Sequence, residues 1–307
     1  IRMNGGTAMM RILGIVGVQI CICVPIIVFQ FCKGKEFFSK EYWGYALRIG
    51  IPIVPHYLSG IILNQGDRIM IDKMVGKTEV ALYGLAYSIG MLVQLFISGM
   101  NSALTPWMYS KIKKGDIRSM RKVLQLLSVV VVGIAVALML ISPELVLIFG
   151  SPKYREAVYV IPPVAASVFF IFIYNILSMP QFYYEKTQFL MAASMAAAGA
   201  NVVLNFIFIR LFGYIAAGYT TLACYMLYSV GHYIVSKRIL VNEGIQENLM
   251  NPGFLLACSV FLIGASIICN LIFPYRILRY AILLASAGLV FWKKELLLKT
   301  MADIRKK

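Results

Sequence analysis

The sequence is poor in charge, in acids and in histidine. Of its 307 residues only 14% are charged, 60% are apolar, and mean hydropathy is +0.80. A soluble domain carries about 25% charged and about 45 to 50% apolar residues, so the composition argues against a water-soluble enzyme. Only two histidines occur, His56 and His232, and neither has a carboxylate three or four residues away. P-loop, GxGxxG and HExxH patterns are absent, which leaves kinase, pump ATPase and metalloprotease chemistry without residues to act. The six cysteines (Cys21, Cys23, Cys32, Cys224, Cys258 and Cys269) include no CxxC pair and no zinc spacing, and read as small apolar packers. The 16 methionines are scattered and read the same way. No metal, no cofactor and no catalytic reaction are expected.

What is present is a set of long uncharged runs. Charged residues avoid nine stretches: 12–32, 49–66, 80–110, 123–143, 157–184, 187–209, 211–236, 248–275 and 280–292. Eight approach or exceed the roughly 20 residues of a bilayer crossing. The ninth completes a short span if Arg276 and Arg279 snorkel toward the head groups. Such runs far exceed the roughly ten residues of a barrel strand, and backbone in lipid has to satisfy itself within a helix. The expected fold is an all-α membrane protein, a polytopic bundle of about nine transmembrane helices.

Charge of one sign is also scarce, with 13 acids against 29 Lys and Arg and a net charge of +16. Summed over alternate connections, 19 of the Lys and Arg fall on the side of 33–48, 111–122, 186, 237–238 and 293–307, and 10 on the other. Cytoplasmic loops carry the excess, so the C-terminus is expected in the cytoplasm and residue 1 outside. The basic stretches at 111–122 and 293–307 then face anionic lipid, and no nucleic acid is implied. The chain starts at Ile1 with no cationic leader before its first apolar run, and is expected to be a piece of a longer protein.

The second segment is the most polar. Between Trp43 and Ile71 it carries Arg48, Pro52, Pro55, His56, Gly60, Asn64, Gln65, Asp67 and Arg68. At about 100° per residue, all but Gln65 and Arg68 share an arc of about 180°. A polar stripe facing lipid would cost several kcal/mol, so it is expected to face other helices or a wet cavity. Pro52 and Pro55 remove backbone donors and free carbonyls, which protein or cavity water then satisfies. The plainer alternative is a packed helix whose end is anchored by an Asp67–Arg68 pair. A second polar set comprises Tyr83, Tyr87, Gln94, Asn101, Tyr174, Asn175, Asn201 and Asn205, read equally as interhelical glue or as cavity lining. Pro106, Pro162, Pro163 and Pro180 suggest broken helices of the transporter kind. Asp67 and Glu144 are the only acids at the apolar spans, both terminal, so no buried carboxylate relay is visible.

Several runs, in order, resemble a known family: IPIVPHYLSGIILNQGDRIMID at 51–72, EVALYGLAYSI at 79–89, PWMY at 106–109, FGSPKYREA at 149–157, YEKT at 184–187, and NVVLNFIFIRLFGYIAAGYTTLACY at 201–225. The chain is similar to the C-terminal portion of bacterial polysaccharide flippases of the multidrug/oligosaccharidyl-lipid/polysaccharide exporter superfamily. The resemblance implies residues 1–44 as the last helix of an N-terminal lobe plus a basic linker, 45–240 as a six-helix C-terminal lobe, and 241–307 as two added helices with a basic tail. It implies a bacterial cytoplasmic membrane and an N-terminal lobe that is not in this chain.

It further implies alternating access by a lipid-linked oligosaccharide, in which the protein supplies a polar path for sugars and diphosphate while the polyprenyl tail stays in lipid. Under that reading Arg48 is the first candidate for a phosphate, because its guanidinium is a fixed, charged fork of donors. Arg68 is the second, with Asp67 holding it or receiving a coupling ion. His56, Asn64, Tyr87, Asn101, Asn175 and Asn205 are candidates for the polar wall. Two other readings stand beside it. A drug or cation antiporter of the same superfamily predicts acids deep in the bundle. A membrane polymerase or glycosyltransferase predicts a large loop with catalytic acids or histidine, and none is visible.

Overall fold

The computed structural model describes residues 8–35 and 38–292, and every regular element among them is helical. The basic tail expected at 293–307 lies outside the described residues. The chain divides into two compact units, Ile1–Gly50 and Ile51–Lys307. The expected lobe boundary at 44 falls shortly before the first unit's end, and the final helices, expected as an addition, belong to the second unit.

In the first unit, α1 (Ala8–Gly34) is mostly apolar and exposed from Met9 onward wherever its side chains are described. Helix α2 (Lys40–Met74) begins in this unit and continues into the second. There follow α3 (Lys77–Gly90), α4 (Leu92–Lys113), α5 (Ile117–Phe149), a 3-10 stretch (Pro152–Val160), α6 (Ile161–Tyr183), α7 (Thr187–Phe212), α8 (Ile215–Asn242), α9 (Pro252–Ile272) and α10 (Arg276–Trp292). Seven segments are long and apolar enough to cross a membrane: 12–34, 40–74, 77–113, 117–149, 152–183, 187–212 and 252–272. Helices α8, with a polar face, and α10, with 17 residues, stand where the seventh and ninth uncharged stretches lie.

Helix α6 is the hub of the second unit. Its sequence is apolar on all sides, which favours burial on all sides, and from Ile161 to Gln181 only Tyr174 and Asn175 escape burial. It packs on α3, α4, α5, α8 and α9. The third uncharged stretch is not one helix but two, α3 and α4, joined at Met91. A Cβ on Gly90 would lie 2.7 Å from Val164 Cγ1, so glycine here lets α3 approach α6 almost to backbone contact.

Helices also absorb most of the charged connections. Only Lys114–Asp116 separate α4 from α5. Asp116 caps α5 by accepting from Ser119 N at 3.3 Å and receives the Lys111 ammonium at 2.5 Å. Charged residues end the apolar span, not the helix, because helix turns are equally stable beyond the hydrocarbon. At the far end of α7, Gly213 adopts φ 74° and donates to Ile209 O at 2.9 Å, a left-handed stop suited to glycine.

One expectation is overturned at α10. Arg279 does not snorkel to a surface: it is 3% exposed and clamps Glu144 of α5 with two bonds of 2.8 Å, while donating to Leu140 O at 2.6 Å. Arg276 lies 3.8 Å from the same carboxylate and is exposed. A nearby acid offered the guanidinium a bidentate partner, which outweighs the pull of the interface.

Candidate functional site

Within the second unit, α2 presents two different polar faces. One row, His56, Gly60, Asn64 and Arg68, repeats every four residues and lines a cavity of about 750 Å³. A row of this spacing drifts by about 40° per step around the helix, so Arg68 joins it although a fixed arc centred on His56 leaves it out. Helix α3 contributes Tyr87, α6 Tyr174 and Asn175, and α8 Tyr225 and Tyr228. Between Ile161 and Gln181, the two residues of α6 that escape burial both line the cavity.

The aromatic wall is continuous. The Tyr174 ring lies 4.4 Å from that of Tyr228 and 6.3 Å from that of Tyr225, almost parallel to the latter. Tyr87 donates to Asn64 Oδ1 at 2.7 Å, and Asn64 Nδ2 donates to Gly60 O at 2.7 Å. His56 Nδ1 lies 2.5 Å from Ser194 Oγ of α7 and 3.1 Å from the Tyr228 hydroxyl. The cavity's charge is Arg68: its Nη1 donates to Gln65 Oε1 at 2.7 Å and its guanidinium lies 5.0 Å over the Tyr87 ring. Among the described residues no acid lies within 4 Å of it, and its Nε is buried without a partner.

The second face, Pro52, Ser59, Leu63, Asp67 and Ile71, is buried. Helix α2 runs on to Met74, so Asp67, terminal to the uncharged stretch, sits almost two turns inside the helix and is 0% exposed. Its oxygens accept from Tyr83 Oη of α3 at 2.5 Å, Asn205 Nδ2 of α7 at 2.5 Å and Thr221 Oγ1 of α8 at 2.6 Å. Asn205 also donates to Asn201 Oδ1 at 3.2 Å and accepts from Thr220. The anticipated Asp67–Arg68 pair therefore does not form, since the two side chains leave adjacent positions about 100° apart. Nor does Asp67 share the cavity face with His56: the common arc spans two environments.

Of the residues singled out in the sequence, the cavity brings together His56, Asn64, Arg68, Tyr87 and Asn175. Asn205 joins the knot around Asp67. Asn101 is half-buried on α4, away from the cavity lining, with its carbonyl accepting from Thr105. Arg48 belongs to the first unit, where it is exposed. Sequence reasoning missed Thr221, Tyr225, Tyr228 and Ser194. A signal existed for the first three: with His232 they recur at spacings of four, three and four along α8, a polar stripe of helical period. Ser194, alone in a small-residue run, gave none.

Chemically, the cavity offers tyrosine faces and hydroxyls along its length and a single guanidinium at one end. Such a wall suits a polar cargo with ring faces and one anionic group, and it disfavours a cation.

Residues 6–113 match the family of polysaccharide biosynthesis proteins, a stretch that holds α2, α3 and the row from His56 to Arg68. The chain is similar to a protein of the Lsg locus of Haemophilus influenzae, at 28% identity over 172 residues, covering 52% of this chain and 41% of that protein. It is also similar to an uncharacterized membrane protein of the same organism, at 29% over 167 residues, covering 51% of this chain and 40% of the other. The aligned chain thus spans about two fifths of the length of these relatives. No solved structure matches it. By these matches the chain is similar to polysaccharide biosynthesis proteins over residues 6–113, and its apolar helices are those of a multi-pass membrane protein.

Proposed function

We propose that the whole protein moves a polyprenyl-diphosphate-linked oligosaccharide across the bacterial cytoplasmic membrane by alternating access, and that this chain supplies one half of the path. The observation that carries the reading is the cavity between α2, α3, α6 and α8, with its tyrosine wall and one acid-free guanidinium at Arg68. Tyrosine rings suit the apolar faces of pyranoses and their hydroxyls suit sugar hydroxyls, while Arg suits a phosphate in a bidentate contact. Sugars and diphosphate crossing hydrocarbon unaided would lose their water at a cost of many kcal/mol, so a path of this kind is what the task requires. Arg48, the first phosphate candidate from the sequence, lies in the first unit and is not part of this cavity's lining. The opposite wall would come from an N-terminal lobe, and the exposed apolar surface of α1 is the kind of face such a lobe covers.

Asp67, the candidate for a coupling ion in the sequence, is held by the fold instead. It is the buried acid that the drug or cation antiporter reading asks for. Against that reading, its oxygens are enclosed by protein donors and the cavity lining contains no acid, so a cationic cargo would meet Arg68 alone.

Deleting the whole gene tests the function. The expected outcome is loss of surface polysaccharide with oligosaccharide-lipid accumulating where externally added glycosidase does not reach it, reversed by the intact gene. Normal surface glycan in the deletion strain would sink the reading. The orientation is part of it: a cysteine at 113 is expected to react with an impermeant thiol reagent only after the membrane is opened, and labelling of intact cells would reverse the topology.

A further inference from the structure

The hydroxyls around His56 have no proton left to give it. Ser194 donates to Leu190 O at 2.7 Å, and a carbonyl only accepts, so that proton is committed. Ser194 Oγ is then an acceptor, and in its 2.7 Å contact with Tyr228 the phenol donates. Both hydroxyl protons are used, yet His56 Nδ1 lies 2.5 Å from Ser194 Oγ and 3.1 Å from Tyr228 Oη. Neutral imidazole carries its proton on one nitrogen and a lone pair on the other. The arrangement closes only with the proton on Nδ1, donated to Ser194, which leaves the Nε2 lone pair as the hydrogen-bonding group His56 has to offer the cavity it lines.

His232 is the contrast within the same chain. Its Nδ1 faces Gln181 Nε2 at 2.8 Å, an amide nitrogen that donates, so there Nδ1 accepts and the proton belongs on Nε2. The chain's two histidines thus hold opposite tautomers.

We infer that Ser194 is a positioning residue that fixes His56 as a hydrogen-bond acceptor on the cavity wall, so that this end of the cavity takes a hydroxyl or amide N–H of the cargo's sugars. Arg68 stands 12 residues further along α2, about 18 Å at 1.5 Å per residue, and offers only donors. The wall is therefore polarised: an acceptor at one end, a cation at the other, with tyrosine faces between. A cargo with its anionic group at Arg68 and a sugar donor at His56 fits in one direction only. The inference rests on the sugar-cargo reading above and adds a direction to it.

The test is nitrogen-15 histidine spectroscopy on the intact protein in lipid nanodiscs above pH 8, with His56 assigned by its loss in His56→Gln, beside an export assay of the same variants. The expected result is a protonated Nδ1 and bare Nε2 at His56, a mixed or switched tautomer in Ser194→Ala with export reduced about tenfold, the worth of one good hydrogen bond, and recovery of both in Ser194→Thr, which keeps the hydroxyl. A protonated Nε2 at His56 in the unaltered protein overturns the inference, and so does full export by Ser194→Ala once its tautomer has changed. Should Ser194→Ala not reach the membrane, the tautomer of the unaltered protein and export by His56→Gln decide in the same way. If Arg68→Ala blocks export while the Ser194 and His56 variants do not, this inference fails and the transport reading stands. If none of them affects export, this inference fails and the cavity is not the path, while surface glycan in the deletion strain still decides the transport reading.

Discussion

Asp67 and Arg68 are neighbours in the chain and opposites in circumstance. The carboxylate is fully buried and its oxygens accept from α3, α7 and α8. The guanidinium, one position on, has five donors, of which one reaches Gln65 within its own helix, and its positive face rests on Tyr87. A charged group whose bonding capacity is consumed by the fold holds helices together. One whose capacity is left over on a cavity wall is free to hold a cargo. Both cost desolvation, but only the first recovers it within the chain.

Stability measurements break or sharpen this contrast, and the largest effect is expected at Asp67. Asp67→Leu would strand the Tyr83 and Thr221 hydroxyls and the Asn205 amide, at about 1 to 3 kcal/mol for each buried group left unsatisfied. The expected net loss is about 3 to 5 kcal/mol, as when a buried charged network loses one member. Thermal unfolding in detergent, followed by size-exclusion, reads it. Asp67→Asn keeps the shape and is expected to fall between. An unchanged midpoint for Asp67→Leu would make the knot irrelevant to the fold.

Arg279→Met comes next. Glu144 would lose its bidentate partner and keep the looser contact with Arg276. Because that carboxylate is 23% exposed, the cost is expected below the fully buried range, at about 2 kcal/mol. The double change Arg279→Met with Glu144→Gln is expected to recover part of it. Third is Gly90→Ala, where the new Cβ would meet Val164 Cγ1 at 2.7 Å and Val164 Cβ at 2.9 Å, an overpacking worth about 1 to 3 kcal/mol that Val164→Ala relieves only in part, because the Cβ stays.

How much of this was legible in the sequence follows from the range of the interactions. The helical bundle was, because about 20 uncharged residues in a row state a local fact about solvent. Helix ends were less so, since Lys111 and Asp116 carry helix and cap past the charge boundary. The row of His56, Asn64 and Arg68 was half-legible: periodicity fixes relative angles, but not which arc meets the cavity and which the core. That depends on Tyr83, Asn205 and Thr221, up to 154 residues away. Arg279 was illegible for the same reason, its partner Glu144 being 135 residues earlier.

The smallest effect on stability and the largest on function are expected together at Arg68. Its contacts are one side-chain amide of its own helix and one ring face, each worth a few tenths of a kcal/mol to about 1 kcal/mol when partly exposed. Arg68→Ala is therefore expected to move the unfolding midpoint hardly at all, within about 0.5 to 1 kcal/mol. Under the proposed function, export is expected to fall at least about tenfold, since each 1.4 kcal/mol of lost contact is a factor of ten and a charge-assisted bond to phosphate is worth more than that. Arg68→Lys separates the two parts of the role. Lysine keeps the charge and loses the fork, so partial export points to attraction and none to bidentate geometry. If Arg68→Ala unfolds the protein as readily as Asp67→Leu, the guanidinium belongs to the fold after all, and the division between the two faces of α2 disappears.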